Sequence, residues 1–179
     1  MRRRSLCLLT CCVLLLCAAC ARREPPATAN TSAPAAAPAP AERPTPEHIV
    51  SARADAVALK TGASADAQVR LTIADGYHIN ANPATFSYLR ATELVLTPAG
   101  GVTAGQPAYP QAVTKKFPFA PQPLAVYEHK ATIRLPLRAG AAAPKGAQTL
   151  RAQVQVQPCD EEKCFPPTKI AADIPVTIN

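Results

Sequence analysis

An all-β fold, an immunoglobulin-like antiparallel β-sandwich, is what this sequence predicts. From about His48 onward, apolar residues recur at every second position in short runs. Turn residues separate those runs: Asp75-Gly76, Asn82-Pro83 and Pro98-Ala99-Gly100-Gly101. No stretch of this region carries a convincing helical period. Period-2 alternation buries one face and leaves the other in water, and about six to eight such strands with turn signals between them are the pattern of a sandwich.

The elements before the fold read differently. Met1 to Arg4 is basic, Leu6 to Leu16 is a short apolar run, and Ala18-Ala19 are small residues before Cys20. This is the layout of a secretory signal, too short for a span of about 20 residues. The small-small-Cys ending resembles the lipobox of bacterial lipoproteins, although Cys17 stands where that family prefers leucine. The resemblance implies a signal peptide over 1–19 and a lipid anchor on Cys20. The other reading is ordinary signal cleavage with no lipid, which leaves a secreted domain. Residues 20–47 are rich in Ala and Pro and lack apolar periodicity. Such a segment cannot bury enough surface to offset its ordering entropy, and its prolines make it a semi-stiff spacer. The folded domain is expected over 48–179, about 130 residues, enough for one core.

Along the domain, Val50 to Thr61 reads as a first strand region, with Val57 and Leu59 on one face. Gln68 to Ala74 alternates, with Val69, Leu71 and Ile73 inward. Tyr77 to Asn80 is extended, and Thr92 to Thr97 is a further strand. Gln106 to Pro123, with five prolines and the aromatics Tyr109, Phe117 and Phe119, reads as a long irregular connection, a kind of segment that often carries function. Val126 to Leu137 returns to alternation, with Ala131, Ile133, Leu135 and Leu137 on one face. Leu150, Ala152, Val154 and Val156 form the inner face of a strand that delivers Cys159. Ile170, Ala172, Ile174, Val176 and Ile178 alternate to the end.

Charge narrows the partners. The formal charge is +7; without Arg2, Arg3 and Arg4 it is 16 basic against 12 acidic residues, or +4. Only short basic pairs remain, so nucleic acid is not an expected partner. Five of the seven cysteines lie within the first twenty residues, and Cys159 and Cys164 are the pair left in the domain. An exported domain meets an oxidising compartment in which such a pair persists as a disulfide. A bridge across so short a ring is worth about 2 kcal/mol of loop-closure entropy, against nearly 5 for a loop of about a hundred residues. Its place at the end of a strand, on a sandwich edge, favours thiol exchange over stapling, because exchange needs access to the sulfur. Zinc held by the two thiolates with His78 or His129 is conceivable, but nothing in the sequence brings those histidines close. No metal or other cofactor is expected. Gly62 to Ser64 lacks the context of a nucleophile elbow, and a hydrolase has little support.

Three motifs, in order, carry a resemblance. They are Asp75-Gly76-Tyr77-His78-Ile79-Asn80-Ala81-Asn82-Pro83, then Lys116-Phe117-Pro118-Phe119 with Leu124-Ala125-Val126-Tyr127-Glu128, then Cys159-x4-Cys164-Phe165-Pro166-Pro167. Together they resemble the periplasmic N-terminal domain of the thiol:disulfide interchange protein DsbD, over roughly Val50 to Asn179. The resemblance implies an immunoglobulin-like fold on the periplasmic side of a bacterial membrane. It also implies a cysteine pair that relays electrons from a DsbD-like membrane donor to thioredoxin-fold acceptors, such as a disulfide isomerase or a cytochrome c maturation thioredoxin. With the sequence ending at Asn179, that donor is expected to be a separate protein. Carried over, Cys164 forms the mixed disulfide and Cys159 resolves it. Phe117 or Phe119 stands where the family has an aromatic cap, with core packing as the other reading. Tyr77, His78 and Asn80 stand where it has active-site neighbours, with a packing or surface role as the other reading.

The acidic run Asp160-Glu161-Glu162 opposes thiolate formation and Lys163 partly favours it, so thiols largely protonated at neutral pH are expected. The competing function is a non-catalytic immunoglobulin-like lipoprotein whose disulfide only shapes a binding loop.

Overall fold

The apolar alternation is cut into fourteen short strands in a computed structural model that describes residues 46–179. The expected signal peptide, Cys20 and the linker as far as residue 45 lie outside the described residues. A single helical turn, α1 (Pro46–Ile49), leads into β1 (Val50–Ala54), β2 (Val57–Leu59), β3 (Ser64–Ile73) and β4 (His78–Asn80). Then follow β5 (Glu93–Leu96), β6 (Val102–Ala104), β7 (Val113–Lys115), β8 (Leu124–Glu128) and β9 (Lys130–Ala139). The remainder are β10 (Gly146–Leu150), β11 (Ala152–Val156), β12 (Pro158–Cys159), β13 (Thr168–Ala171) and β14 (Ile174–Ile178).

These strands form four hydrogen-bonded sheets, in the orders β1-β3-β9-β6, β10-β14-β2, β13-β11-β5 and β12-β4-β8-β7. The pairing is antiparallel except between β14 and β2, which run parallel with Val176 opposite Val57. The long β3–β9 ladder runs from Ser64 opposite Arg138 to Thr72 opposite Lys130. It puts Ala67, Val69, Leu71 and Ile73 in one core with Ala131, Ile133, Leu135 and Leu137. This is the all-β sandwich that the alternation predicts.

What the sequence does not show is where the runs break. Several continuous alternating runs divide at a residue where the chain leaves one sheet for another. Val50 to Leu59 divides at Asp55-Ala56: β1 pairs with β3, and β2 with β14. Leu150 to Val156 divides at Arg151, whose carbonyl accepts the amide of Thr97 at 2.9 Å. Both Leu150 and Ala152 stay buried across that break, so side-chain period alone cannot reveal it. The alternating stretch from Val126 to Leu137 belongs to two strands, with His129 between them. His129 has φ of 56°, which turns β8, in the sheet of the cysteines, into β9, in the β1-β3-β9-β6 sheet.

The long connection between β6 and β8 also differs in part from expectation, because Val113–Lys115 within it pairs with β8. No helix among the described residues is long and apolar enough to cross a membrane.

The turn at His129 generates a test. Its side chain pairs with Asp75 at 3.3 Å, but both groups are largely exposed, so the ion pair contributes little. The backbone conformation is the constraint. A β-branched residue strains there, so His129→Ile is expected to lower stability by about 1–2 kcal/mol. His129→Gly is expected to hold or raise it. Urea unfolding midpoints of the oxidised protein check both, and equal losses in the two variants would contradict the account.

Candidate functional site

The sheet β12-β4-β8-β7 builds the site, and its pleat explains how. Pro158 stands opposite Ile79 and Cys159 opposite His78. On the other side of β4, His78 faces Glu128, Ile79 faces Tyr127 and Asn80 faces Val126. Residues directly opposite share a face. One face therefore carries Ile79 and Tyr127, which belong to the main core. The other carries Cys159, His78, Asn80, Glu128 and Val126. All three residues of β4 are buried because a second, smaller cluster covers that other face. It consists of Phe117, Leu124 and Val126, with Phe86, Leu89 and Ala120 packed against them.

Cys159 and Cys164 form a disulfide, with Cα atoms 3.9 Å apart and their backbones bridged as an antiparallel pair. The hairpin between them is built by its acidic first residue. The amide of Asp160 donates to the carbonyl of Lys163 at 2.9 Å. The Asp160 carboxylate accepts the amides of Glu162 and Lys163, each at 2.8 Å, as aspartates at tight turns do. Just outside the pair, the amide of Phe165 donates to the carbonyl of Pro158 at 2.8 Å. β12 is the edge strand of its sheet. Cys159 is fully buried, whereas Cys164 is half-buried and lines a cavity of about 200 Å³ with Tyr88, Leu89, Phe119, Ala120 and Leu124.

The aromatic residues divide between support and cover. Phe117 is buried at 1% exposure and stacks on the His78 ring, with centroids 4.0 Å apart and planes 18° apart. Phe119 stacks on Phe117 at 5.3 Å but stays 38% exposed at the cavity. Tyr77 lies away from this cluster and packs against Phe165 at 6.1 Å. Asn80 donates from Nδ2 to Oε1 of Gln157 at 3.1 Å.

Sequence reasoning passed over several residues that hold the site together. The Oε1 of Gln157 also accepts the amide of Arg90 at 2.9 Å, and its Nε2 donates to the carbonyl of Phe165 at 3.3 Å. One glutamine thus joins β4, the loop after it and the segment after Cys164. Its place two residues before Cys159 was the available signal. Lys115 donates to Glu128 at 2.8 Å and Glu161 at 3.0 Å, and its Nζ lies 5.4 Å from the Phe117 centroid. These hydrogen bonds, to Glu128 first and then Glu161, raise its pKa. Tyr88 and Leu89 carried no sequence signal, since they reach Cys164 only through the path of the loop.

His78 is the unusual titratable group. Burial outweighs every neighbouring charge and lowers its pKa to about 4. Glu128, Glu161 and Asp160 act to raise it, and Lys115 acts with burial. Its Nε2 and the Oδ1 of Asn80 are buried without a hydrogen-bond partner. The other candidate histidine, His129, sits on the surface against Asp75. No group of three or more His, Cys, Asp or Glu side chains among the described residues is placed to hold a metal ion.

The family of the thiol:disulfide interchange protein DsbD, N-terminal domain, matches residues 31–174. The chain belongs to this family. The DsbD N-terminal assignment covers all three motifs of the site, and the chain carries a thiol:disulfide interchange domain of that type. Among solved structures, the Neisseria meningitidis DsbD N-terminal domain in the reduced form is similar at 26% identity. It covers 73% of this chain and 87% of its own, with a TM-score of 0.48. The N-terminal periplasmic domain of ScsB from Proteus mirabilis is similar at 11% identity, over 67% of this chain and 43% of its own, also at 0.48. No curated protein matches the chain.

Burial of His78 has a consequence for stability. A histidine with its pKa held below the unfolded value contributes stability that is present above about pH 6.5 and is lost as pH falls toward 4. Over that window the loss is expected to reach roughly 3 kcal/mol. His78→Phe keeps the stack on Phe117 and is expected to flatten the dependence. Urea titrations of the oxidised protein between these pH values measure it, and parallel curves for the two proteins would contradict the assignment.

Proposed function

We propose that the domain is an electron relay, tethered on the periplasmic side of a bacterial membrane. It takes reducing equivalents from a DsbD-like membrane donor and passes them to thioredoxin-fold acceptors in disulfide correction or cytochrome c maturation. A signal peptide over 1–19, a lipid on Cys20 and a spacer over 20–47 would supply the tether, with the relay domain over 48–179.

One observation carries the reading: the two sulfurs of the pair are unequal. Cys159 is buried at 0% exposure, while Cys164 opens on an apolar cavity at a sheet edge. A partner's sulfur must approach along the S–S axis, and only Cys164 offers that approach. In the outward direction, the Cys164 thiolate attacks the acceptor disulfide and one acceptor sulfur leaves as a thiolate. Cys159 then attacks Cys164, closing the domain's own disulfide and releasing the acceptor as a dithiol. Phe119 caps Cys164, Phe117 supports the cap from below, and Tyr77, His78 and Asn80 shape the floor and flank of the site.

The reduction potential of the pair is the test. A value between about −270 and −180 mV supports a relay. A value below about −300 mV marks a structural bridge and hands the lead to a binding module with a disulfide-shaped loop. In the same experiment, Cys159→Ala is expected to accumulate a mixed disulfide with an oxidised thioredoxin-fold protein, and Cys164→Ala is not. Equal trapping by both variants would overturn the assigned roles.

The two phenylalanines should separate as well. Phe119→Ala is expected to speed reaction of the reduced pair with a small disulfide while leaving stability within about 0.5 kcal/mol. Phe117→Ala is expected to cost roughly 3 kcal/mol in urea unfolding. A large stability loss from Phe119→Ala would make it a packing residue rather than a cap.

A further inference from the structure

We propose that His78 is the hydrogen-bond partner of the Cys159 sulfur in the reduced domain, a neutral imidazole that donates from Nε2 to the Cys159 thiolate. This rests on the redox reading above and deepens it.

Four observations converge. Cys159, His78 and Glu128 stand directly opposite one another across β12, β4 and β8, so their side chains form a row on one face of the sheet, with neighbouring Cβ atoms about 4.5–5.5 Å apart. Cys159 and His78 are both fully buried. While the disulfide is closed, His78 Nε2 has no hydrogen-bond partner, which is uncommon for a buried polar atom and costly to maintain. The Phe117 stack fixes the ring. Two facing residues, one with an orphaned nitrogen and one with a buried sulfur, become satisfied together when the sulfur turns into a hydrogen-bonding group.

The chemistry needs such a partner. When a donor thiolate attacks Sγ of Cys164, a new S–S bond forms there and the Cys159–Cys164 bond breaks. The electron pair leaves on Sγ of Cys159, a charge released where no water reaches, and the Nε2–H stabilises it. The donor is left as a mixed disulfide, its own second thiol resolves that bond, and the proton this thiol gives up is taken by one of the two released sulfurs. In the outward direction the same contact favours ionisation of Cys159 before it attacks Cys164.

The groups facing this ring are Glu128 on β8, Lys115 on β7, Asp160 and Glu161 on the hairpin turn, and Cys159 on β12. Burial prevails over the acidic ones and keeps the ring uncharged at neutral pH. His78 is therefore a donor of a hydrogen bond and not a source of a proton.

The test follows the Cβ resonance of Cys159 against pH in the full chain carrying Cys164→Ser, under reducing conditions. Adding His78→Phe is expected to raise the Cys159 pKa by about one unit or more, since hydrogen bonds to charged groups contribute on that scale. His78→Gln, which keeps a donor, is expected to recover part of the shift. A Cys159 titration that does not move with His78→Phe overturns the proposal.

If that variant does not fold, the unmutated chain still decides. The His78 Nε2 resonance is expected to move on reduction, and an Nε2 resonance indifferent to reduction overturns the proposal. A structural-range potential would sink the relay without touching this measurement. A relay-range potential with an unmoved Cys159 titration would sink the His78 contact alone.

Discussion

A three-residue strand buried on both faces is the constraint on which the rest depends. β4 places Ile79 in the main core while His78 and Asn80 lie under the smaller aromatic cluster. It is held on one side by β8 and on the other by β12. β12 has only two residues, and a strand that short has no stability of its own. Its order is borrowed from β4, whose position is fixed by apolar burial above and below. The disulfide is thus mounted at a sheet edge, on a two-residue strand paired to β4, and β4 cannot shift without opening two clusters at once.

Polar contacts then set what burial leaves free. Gln157 connects Asn80, Arg90 and Phe165 through three hydrogen bonds. Thr85 accepts the amide of Ala125 at 2.7 Å, pinning the loop after β4 to β8. The loop carrying Tyr88 and Leu89 and the loop carrying Phe119 and Ala120 consequently meet beside Cys164. Lys115 bridges Glu128 on the sheet and Glu161 on the cysteine hairpin. Those pairs are partly exposed and each contributes little to stability, so their effect is one of orientation. They also change the meaning of the acidic run beside the sulfurs. Asp160 is engaged with backbone amides and Glu161 with a lysine, so two of the three carboxylates have roles in building the hairpin.

The sequence makes the fold class and the pair of sulfurs legible because both depend on local signals. Val69, Leu71 and Ile73 must share a face at period two, and Cys159 and Cys164 are the two cysteines outside the first twenty residues. The sheet changes are not legible. Leu150 and Ala152 keep the same inward parity across Arg151 while their hydrogen-bond partners change from β14 to β5 and β13. His129 is opaque for another reason, since a histidine takes a positive φ too seldom for the residue type alone to mark the turn. The division between Phe117 and Phe119 is equally hidden, because it depends on which ring meets His78. Tyr88, Lys115 and Gln157 come to the site from three separate segments, and nothing local in their surroundings announces a shared destination.

The hairpin also bears on how a redox pair can cycle without disturbing its fold. A ring this short gives its disulfide about 2 kcal/mol of loop-closure stabilisation, and the same turn is already closed without it. The Asp160–Lys163 backbone bond, the two amides on the Asp160 carboxylate and the Phe165–Pro158 bond each span or flank the pair. None of them involves a sulfur. The S–S bond is therefore one of several closures of this turn, and the others do not depend on it. A staple placed across distant strands would do the opposite, coupling each reduction to a large loss of stability. On the proposed relay reading, the features that make this disulfide a poor staple are the ones that would keep its two sulfurs poised to re-form it.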